Sequence, residues 1–368
     1  VQDSKPKLVL LHGNALLREQ ISSKLAPLYA IKAFSSTADA LRFASVTQPA
    51  TVLISDEIAV SMQFSLVRSM RLDPLFAMIP IVILLDCASP ERRAAALQSG
   101  ATSCLDKPYN LKSFVRTISS ALNASVENRW EGLPQIHAAA LKCSIAIFSA
   151  ATERMGAGQP VAYSEINEAC RPLLAAVSSE QVRSILQGVR DHDNYTFSHS
   201  LRVAIFLGMF GRTFGLSGED QNVLTIGGLM HDLGKISIPS LILNKAGQLN
   251  DEEFEIMKGH VPATLKMLRQ CTELPRGAIV IASQHHEKLD GSGYPNGLCG
   301  TQLNELARMA AIADVFGALT DRRVYKPGML PEHAFKIMSK EMSRHLDMPL
   351  LERFRQMLLD TNALLEDA

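Results

Sequence analysis

Two short runs hold the residues with the most chemistry in them. One is Leu229-Met230-His231-Asp232-Leu233-Gly234-Lys235, an adjacent His-Asp pair with a Lys three residues on. The other is His285-His286-Glu287-Lys288-Leu289-Asp290-Gly291-Ser292-Gly293-Tyr294-Pro295, an adjacent His pair followed by a glycine-punctuated loop. Neutral imidazole and carboxylate are the ligands that borderline divalent metals take. Of the ten His in the chain, five (His199, His231, His260, His285 and His286) lie between positions 199 and 286, each beside an apolar, helix-like segment. Any one of them alone reads as a surface or core histidine with ordinary hydrogen bonds. His-Asp, then His, then His-His, then Asp314 in one helical region reads as a metal site.

The elements that must position these residues are helices. From His192 on, strands vanish. Helical spacing covers 196–214 with His199 near its start, 219–230 running into His231-Asp232, a helix from about 249 that delivers His260 near its end, 274–286 with the His pair at its C-terminus, and 304–319. In the last of these Asp314 faces inward among Ala, Ile, Val and Phe, where a carboxylate is costly unless paired or ligating. An all-α domain whose helices converge on one polar spot is expected.

The chain of 368 residues is long enough for two or three domains. Its formal net charge is +0, so no bulk field favours nucleic acid or an anionic membrane, and neither is expected as a partner. The six Cys are scattered with no C-x-x-C, which argues against a disulfide framework and fits a reducing cytosol. Residues 1–7 lack the apolar core of a signal peptide, and no window approaches the roughly 18 unbroken apolar residues of a membrane span. A cytoplasmic protein is the expectation.

Over residues 1–122, short apolar runs alternate with helical spacing: strands at 7–11, 29–34, 51–55, 79–85 and 103–105, helices at 15–28, 36–47, 89–99 and 111–122. That order means an α/β, doubly wound parallel sheet with ligands at the carboxyl ends of its strands. Residues 123–134 are polar and interrupted and read as a linker. Helical spacing returns over 135–190, in a segment that either joins the catalytic domain at 191–368 or carries the contact of a homodimer.

On these residues the first 122 positions resemble the response-regulator receiver domain. Asp56 ends the third strand, where the family's phospho-accepting Asp sits, and Lys107-Pro108 matches the Lys-Pro after the fifth. The resemblance implies a sensor kinase as phosphoryl donor and Mg²⁺ as cofactor. Three departures weaken that implication. His12-Gly13 stands where the family's acidic pair binds Mg²⁺, Leu85 or Asp86 stands where a hydroxyl residue follows the fourth strand, and Ala59, Val60 and Phe64 replace the usual Met-Pro and Gly. Mg²⁺ demands oxygen donors in near-octahedral geometry. We therefore expect a pseudo-receiver in which Asp56 is a poor phospho-acceptor.

From about 191 to 326 the sequence resembles the HD-GYP family, a branch of the HD-domain metal-dependent phosphohydrolases. The resemblance rests on His231-Asp232-Leu233-Gly234-Lys235, on Lys245 with Gly247-Gln248-Leu249, on His260, on His285-His286-Glu287, on Asp290-Gly291-Ser292-Gly293-Tyr294-Pro295 and on Asp314-Val315-Phe316. It implies hydrolysis of cyclic di-GMP to pGpG, and in some members on to GMP, by a hydroxide bridging two metals. One metal would take His199, His231, Asp232 and Asp314, the other Asp232, His260, His285 and His286, with Asp232 shared. This mixed shell suits iron or manganese, with zinc also compatible. Members that hold a third metal have a Glu four residues before the first His; Tyr195 stands there, so two metals are expected. By the same resemblance His231, Asp232 and Lys235 are catalytic, Lys235, Arg323 and Lys326 handle phosphate, and the Gly293-Tyr294-Pro295 loop borders the substrate and contacts diguanylate cyclase domains.

Here too the sequence departs from its family. Gly317 stands where an Asp usually follows the last metal ligand, and Asp321-Arg322-Arg323-Val324-Tyr325 replaces Ser-Asp-Arg-Pro-Tyr. Loss of a carboxylate that supports a ligand typically costs 10–100-fold in metal affinity or activity, so slow turnover or an altered substrate is an expectation. Two other readings follow: a low-activity cyclic-dinucleotide or pGpG scaffold, and an HD phosphohydrolase of another nucleotide. For the N-terminal segment the expected outcome is concrete. Acetyl phosphate with Mg²⁺ leaves the wild type essentially unlabelled, and label that appears in the wild type and vanishes in Asp56→Ala overturns the pseudo-receiver.

Overall fold

Five short β-branched and leucine-rich runs pair as a parallel sheet in the first third of the chain. The computed structural model describes residues 5–62, 64–87, 89–178, 182–190, 192–243, 245, 247–321 and 328–361. The strands are β1 (Lys7–Leu11), β2 (Ala30–Phe34), β3 (Thr51–Ser55), β4 (Ile81–Leu85) and β5 (Ser103–Asp106), in the order β2-β1-β3-β4-β5. Register is set by alternation. Val9, Leu11, Val52, Ile54, Ile81, Ile83 and Leu85 line one face, and Leu8, Leu10, Leu53, Val82, Leu84 and Leu105 the other. Both faces are buried because helices cover both, as a doubly wound sheet requires. These helices are α1 (Ala15–Leu25), α2 (Thr37–Thr47), α3 (Asp56–Ser61), α4 (Ser65–Leu72), α5 (Pro90–Gln98) and α6 (Leu111–Arg129).

Three local differences from the sequence reading have physical causes. Residues 56–72 carry two helices that spacing did not reveal, because Phe64 at φ 56° breaks the periodicity between them. α6 continues to Arg129 through the polar stretch that read as the start of a linker. The division into two units falls there: one comprises Val1–Arg129 with His192–Asn194, the other Trp130–Asp191 with Tyr195–Ala368. In the first unit Asp193 N–H donates to Asn123 Oδ1 at 2.7 Å and His192 meets Glu127 at 3.2 Å, so Asn123 and Glu127 of α6 have partners within this unit.

The second unit is helical: α7 (Gln135–Gly156), α8 (Tyr163–Ser178), α9 (Val182–Arg190), α10 (Tyr195–Thr213), α11 (Gly218–Met230), α12 (Ser240–Leu243), α13 (Asp251–Lys258), α14 (His260–Leu268), α15 (Arg276–Gln284), α16 (Glu305–Thr320), α17 (Pro331–Lys340) and α18 (Met348–Asp360). It is not wholly free of strand. Val161–Ala162 (β6) and Cys271–Thr272 (β7) form a two-residue parallel pair, too short to leave a periodic signal. α10 packs on α11 and α16, and α11 on α15, around a ring cluster of Phe206, Phe210, Phe316 and Phe354. Among the described residues, no helix is long and apolar enough to cross a membrane.

Helix ends are fixed by ordinary capping. Asn250 caps α13 in a capping box with Glu253, Ser217 caps α11, and Asn304 caps α16. α13 stops at Gly259, so His260 opens α14 instead of closing a longer helix. After α11 the chain makes a 3-10 turn, Leu233–Ser237, that lies directly on α14. Gly234 permits this closeness: its N–H donates to Thr264 Oγ1 at 2.9 Å, and a Cβ there would stand 2.2 Å from His260 O and 2.5 Å from Thr264 N. Gly234→Ala must push the two segments apart. We expect a loss of about 1–3 kcal/mol, the usual cost of overpacking, read as a lower denaturant midpoint with an unchanged slope.

Candidate metal centre

Five segments bring the ligand residues together. His199 comes from the first turn of α10, His231 and Asp232 from the end of α11, His260 from the start of α14, His285 and His286 from the end of α15, and Asp314 from the middle of α16. Helix ends supply most of these side chains, and seven residues come together there. Six are buried, and His286 is partly exposed. They form two groups. His199, His231, Asp232 and Asp314 have ligand atoms within 4.8 Å of one another, as do Asp232, His260, His285 and His286. Asp232 belongs to both.

The imidazoles are oriented from behind. Nδ1 of His231 donates to Gly228 O at 2.6 Å, Nδ1 of His260 to Met257 O at 2.6 Å, and Nδ1 of His285 to Ala282 O at 3.1 Å. Backbone carbonyls accept only, so each of these rings has a proton on Nδ1 and turns Nε2 inward. The three Nε2 atoms and Asp232 Oδ1 are buried and make no well-aligned hydrogen bond, although Nε2 of His231 lies 3.1 Å from Asp232 Oδ2 and Nε2 of His260 lies 3.3 Å from Asp232 Oδ1. Buried polar atoms almost always have partners. Four such atoms facing one point are the mark of a donor set that suits divalent cations.

Charge supports the same conclusion. Burial opposes ionisation of Asp232, but His231 and Lys235 hold its carboxyl well below the usual range. Asp314 is likewise held low against burial by His199 and His231. Burial disfavours a cation on His231 too, yet Asp232 and Asp314 raise its pKa to about 10. The pull of two buried carboxylates on that ring is a pull on any cation placed there, and protons and metals compete for it. Burial drives His286 down to about 3 and His285 well below its ordinary value. Both are therefore neutral at pH 7, the form a metal takes.

Around this centre lie residues the sequence did and did not single out. Lys235 forms an ion pair with Asp232 and is mostly buried. Tyr195 stacks on His199 with ring centres 5.7 Å apart. Tyr294 lies 4.7 Å from the His286 ring centre and 6.4 Å from that of His260, while Pro295 is exposed and Gly293 half-buried. Glu287, part of the motif but given no role there, is 2 % exposed and accepts from Asn296 N at 2.7 Å and Leu298 N at 3.0 Å. It pins the loop that carries Tyr294. Gly293 is required there, since a Cβ would meet Lys288 N at 2.4 Å and Glu287 Cα at 2.5 Å. Asp321 also went unassigned, although its Oδ2 accepts from His199 Nδ1 at 2.7 Å. Arg323 and Lys326 lie outside the described residues.

In the first unit, Asp56 is 2 % exposed and is met by Arg92 Nη1 of α5 at 2.7 Å. Lys107 pairs with Asp86. The Glu57 carboxylate occupies the space beside Gly13, where a Cβ would stand 2.9 Å from its Oε2.

Comparison with known proteins agrees with this architecture. Residues 183–350 match the family model described as an HD domain. A cyclic di-GMP phosphodiesterase of Pseudomonas aeruginosa is 35% identical over 45% of this chain and 40% of its own length. A 3'3'-cGAMP-specific phosphodiesterase of Vibrio cholerae is 36% identical over 49% of this chain and 34% of its own length. The chain thus spans well under half the length of these two relatives. The cyclic di-GMP phosphodiesterase response regulator RpfG of Xanthomonas campestris is 27% identical over 92% of this chain and 82% of its own length. The structure of an HDG"Y"P protein from Bdellovibrio bacteriovorus covers 67% of this chain and 80% of its own, at a TM-score of 0.50 and 15% identity. The chain consists of a doubly wound α/β unit followed by a helical unit, and the match to the HD domain model falls in the latter.

Proposed function

We propose that this protein is a metal-dependent phosphodiesterase that hydrolyses a cyclic dinucleotide, cyclic di-GMP first, to its linear form pGpG. The observation that carries the reading is the shared carboxylate of Asp232 between two groups of buried ligands, with four inward-facing donor atoms that make no well-aligned hydrogen bond. His199, His231, Asp232 and Asp314 would hold one divalent cation, and Asp232, His260, His285 and His286 a second. The chemistry such a pair supplies is Lewis-acid stabilisation of a phosphoryl oxygen and a more acidic water.

The remaining work falls to the chain itself. Lys235 brings a permanent cation to the edge of the ligand cluster, where it can meet a phosphate oxygen. Arg323 and Lys326 are assigned the other phosphate contacts. The ring of Tyr294, beside His286 and His260, offers a flat face at the mouth of the site, of the kind on which a nucleobase stacks. The loop of Gly293, Tyr294 and Pro295 is held in place by Glu287, so this surface is present before substrate arrives and costs little ordering on binding. Iron or manganese in the site, a homodimer, and control through the N-terminal unit by a sensor kinase or diguanylate cyclase domain complete the proposal.

A second reading concerns substrate. A relative 36% identical over half of this chain acts on 3'3'-cGAMP, and one guanine-to-adenine change leaves the phosphodiester chemistry untouched. One experiment tests both. Protein purified with manganese or ferrous iron is incubated with cyclic di-GMP, 3'3'-cGAMP and pGpG, and the products are separated by chromatography. Cleavage of at least one cyclic dinucleotide is expected, with at least a roughly 10³-fold loss and no retained metal in His231→Ala/Asp232→Ala. Tight binding of all three without turnover would replace the enzyme with a scaffold.

A further inference from the structure

We propose that Asp321 is the positioning residue for His199, holding the ring in the orientation that turns Nε2 toward Asp314, and that the missing side chain of Gly317 leaves the space that lets it do so. The inference rests on the reading of the centre as a metal site, and it assigns a role to two residues outside the ligand set.

The geometry is specific. His199 is 1 % exposed. Its ring is held between two carboxylates: Nε2 lies 2.9 Å from Asp314 Oδ1, and Nδ1 lies 2.7 Å from Asp321 Oδ2. It is unlike His231, His260 and His285, whose Nδ1 atoms all bond to backbone carbonyls three residues earlier in the chain. His199 lies early in α10, and its outer nitrogen instead faces α16. A carboxylate from the end of α16 is the substitute. It holds the proton on Nδ1 more firmly than a carbonyl and raises the basicity of the opposite nitrogen.

Asp321 is itself fixed. Its side chain is 5 % exposed, and its Oδ1 is paired with Arg202 Nε at 2.6 Å. Arg202 stands on α10 three residues after His199, and its Nη2 donates to Thr320 Oγ1 at 3.0 Å. The guanidinium thereby compensates the charge of a carboxylate that would be costly to bury alone. The backbone N–H of Asp321 donates to Gly317 O at 2.7 Å, so the two residues are one helical turn apart on the same face.

Gly317 explains why the carboxylate sits where it does. A Cβ at 317 would stand 3.3 Å from His199 Cε1 and 3.4 Å from its Nδ1. Position 317 therefore points at the same nitrogen that Asp321 reaches. One N–H cannot serve two carboxylates, and two carboxylates on one turn repel. An acid at 317 and an acid at 321 are alternatives, and this chain has the second.

The test is a two-position exchange in the full-length protein, read by metal affinity and by the His199 ring itself. Manganese binding is titrated in Asp321→Ala, Asp321→Asn, Gly317→Asp and Asp321→Ala/Gly317→Asp. Thermal melts of the metal-free proteins serve as the control for folding. Asp321→Ala is expected to weaken manganese about 10–100-fold, and Asp321→Asn, which keeps the shape and loses the charge, to fall between it and wild type. Gly317→Asp alone is expected to bind more weakly than wild type, and the double variant to recover most of what Asp321→Ala lost. In metal-free protein with ¹⁵N-labelled histidine, a hydrogen-bonded proton is expected on Nδ1 of His199 in wild type, absent from that site in Asp321→Ala and regained in the double variant. Wild-type affinity in Asp321→Ala, or a double variant no better than Asp321→Ala, overturns the inference. Should the wild type take up no metal, the reading of the centre falls, while the ring measurement still decides the role of Asp321.

Discussion

Everything in the second unit depends on the burial of one carboxylate. Asp232 is fully enclosed, and an isolated charge in such a place is prohibitively costly. The chain compensates by surrounding it with imidazoles from four helices and with Lys235. The helices of this unit are held by ordinary means: caps at Asn250, Ser217 and Asn304, an apolar cluster behind α10 and α16, and a 3-10 turn seated against α14. The packing is thus subordinate to the electrostatics. Helix termini and not helix middles supply most of the donors, because a terminus can aim a side chain inward without presenting a whole polar face to the core.

The ligand residues were legible in the sequence because their chemistry is rare. An adjacent His-Asp and an adjacent His-His in apolar surroundings serve few purposes besides gripping a cation. Asp314 was legible for the same reason, as a charge in a run of Ala, Ile, Val and Phe. The alternating strands of the first unit were legible because burial on both faces produces runs of Val, Ile and Leu at 7–11, 51–55 and 81–85. Residues that act by contact across the fold were not legible. Thr264, which accepts from Gly234, and Glu287, which closes a loop through the amides of residues 296 and 298, have no periodic or compositional mark. Asp321 stood in plain view, but its value depends on where Gly317 and Arg202 lie in space. The helices at 56–72 were hidden by a single residue of left-handed backbone.

The ring orientations show how a protein sets the protonation of a cluster before any cation arrives. Three of the histidines use carbonyls from their own chain segment, a device that costs no additional residue. The fourth uses a carboxylate with its own counter-charge. Neutral, correctly turned imidazoles are the condition for tight metal binding, and burial enforces the neutral form at His285 and His286.

The pairing of Asp56 with Arg92 has a consequence for the first unit. A guanidinium keeps its charge at any pH a cell reaches, so the Arg92 side of the pair stays cationic. The bond ties the first turn of α5 to the residue that follows β3. Whatever chemistry reaches the buried acid must therefore first draw a half-exposed side chain aside, as a latch is lifted and not dissolved.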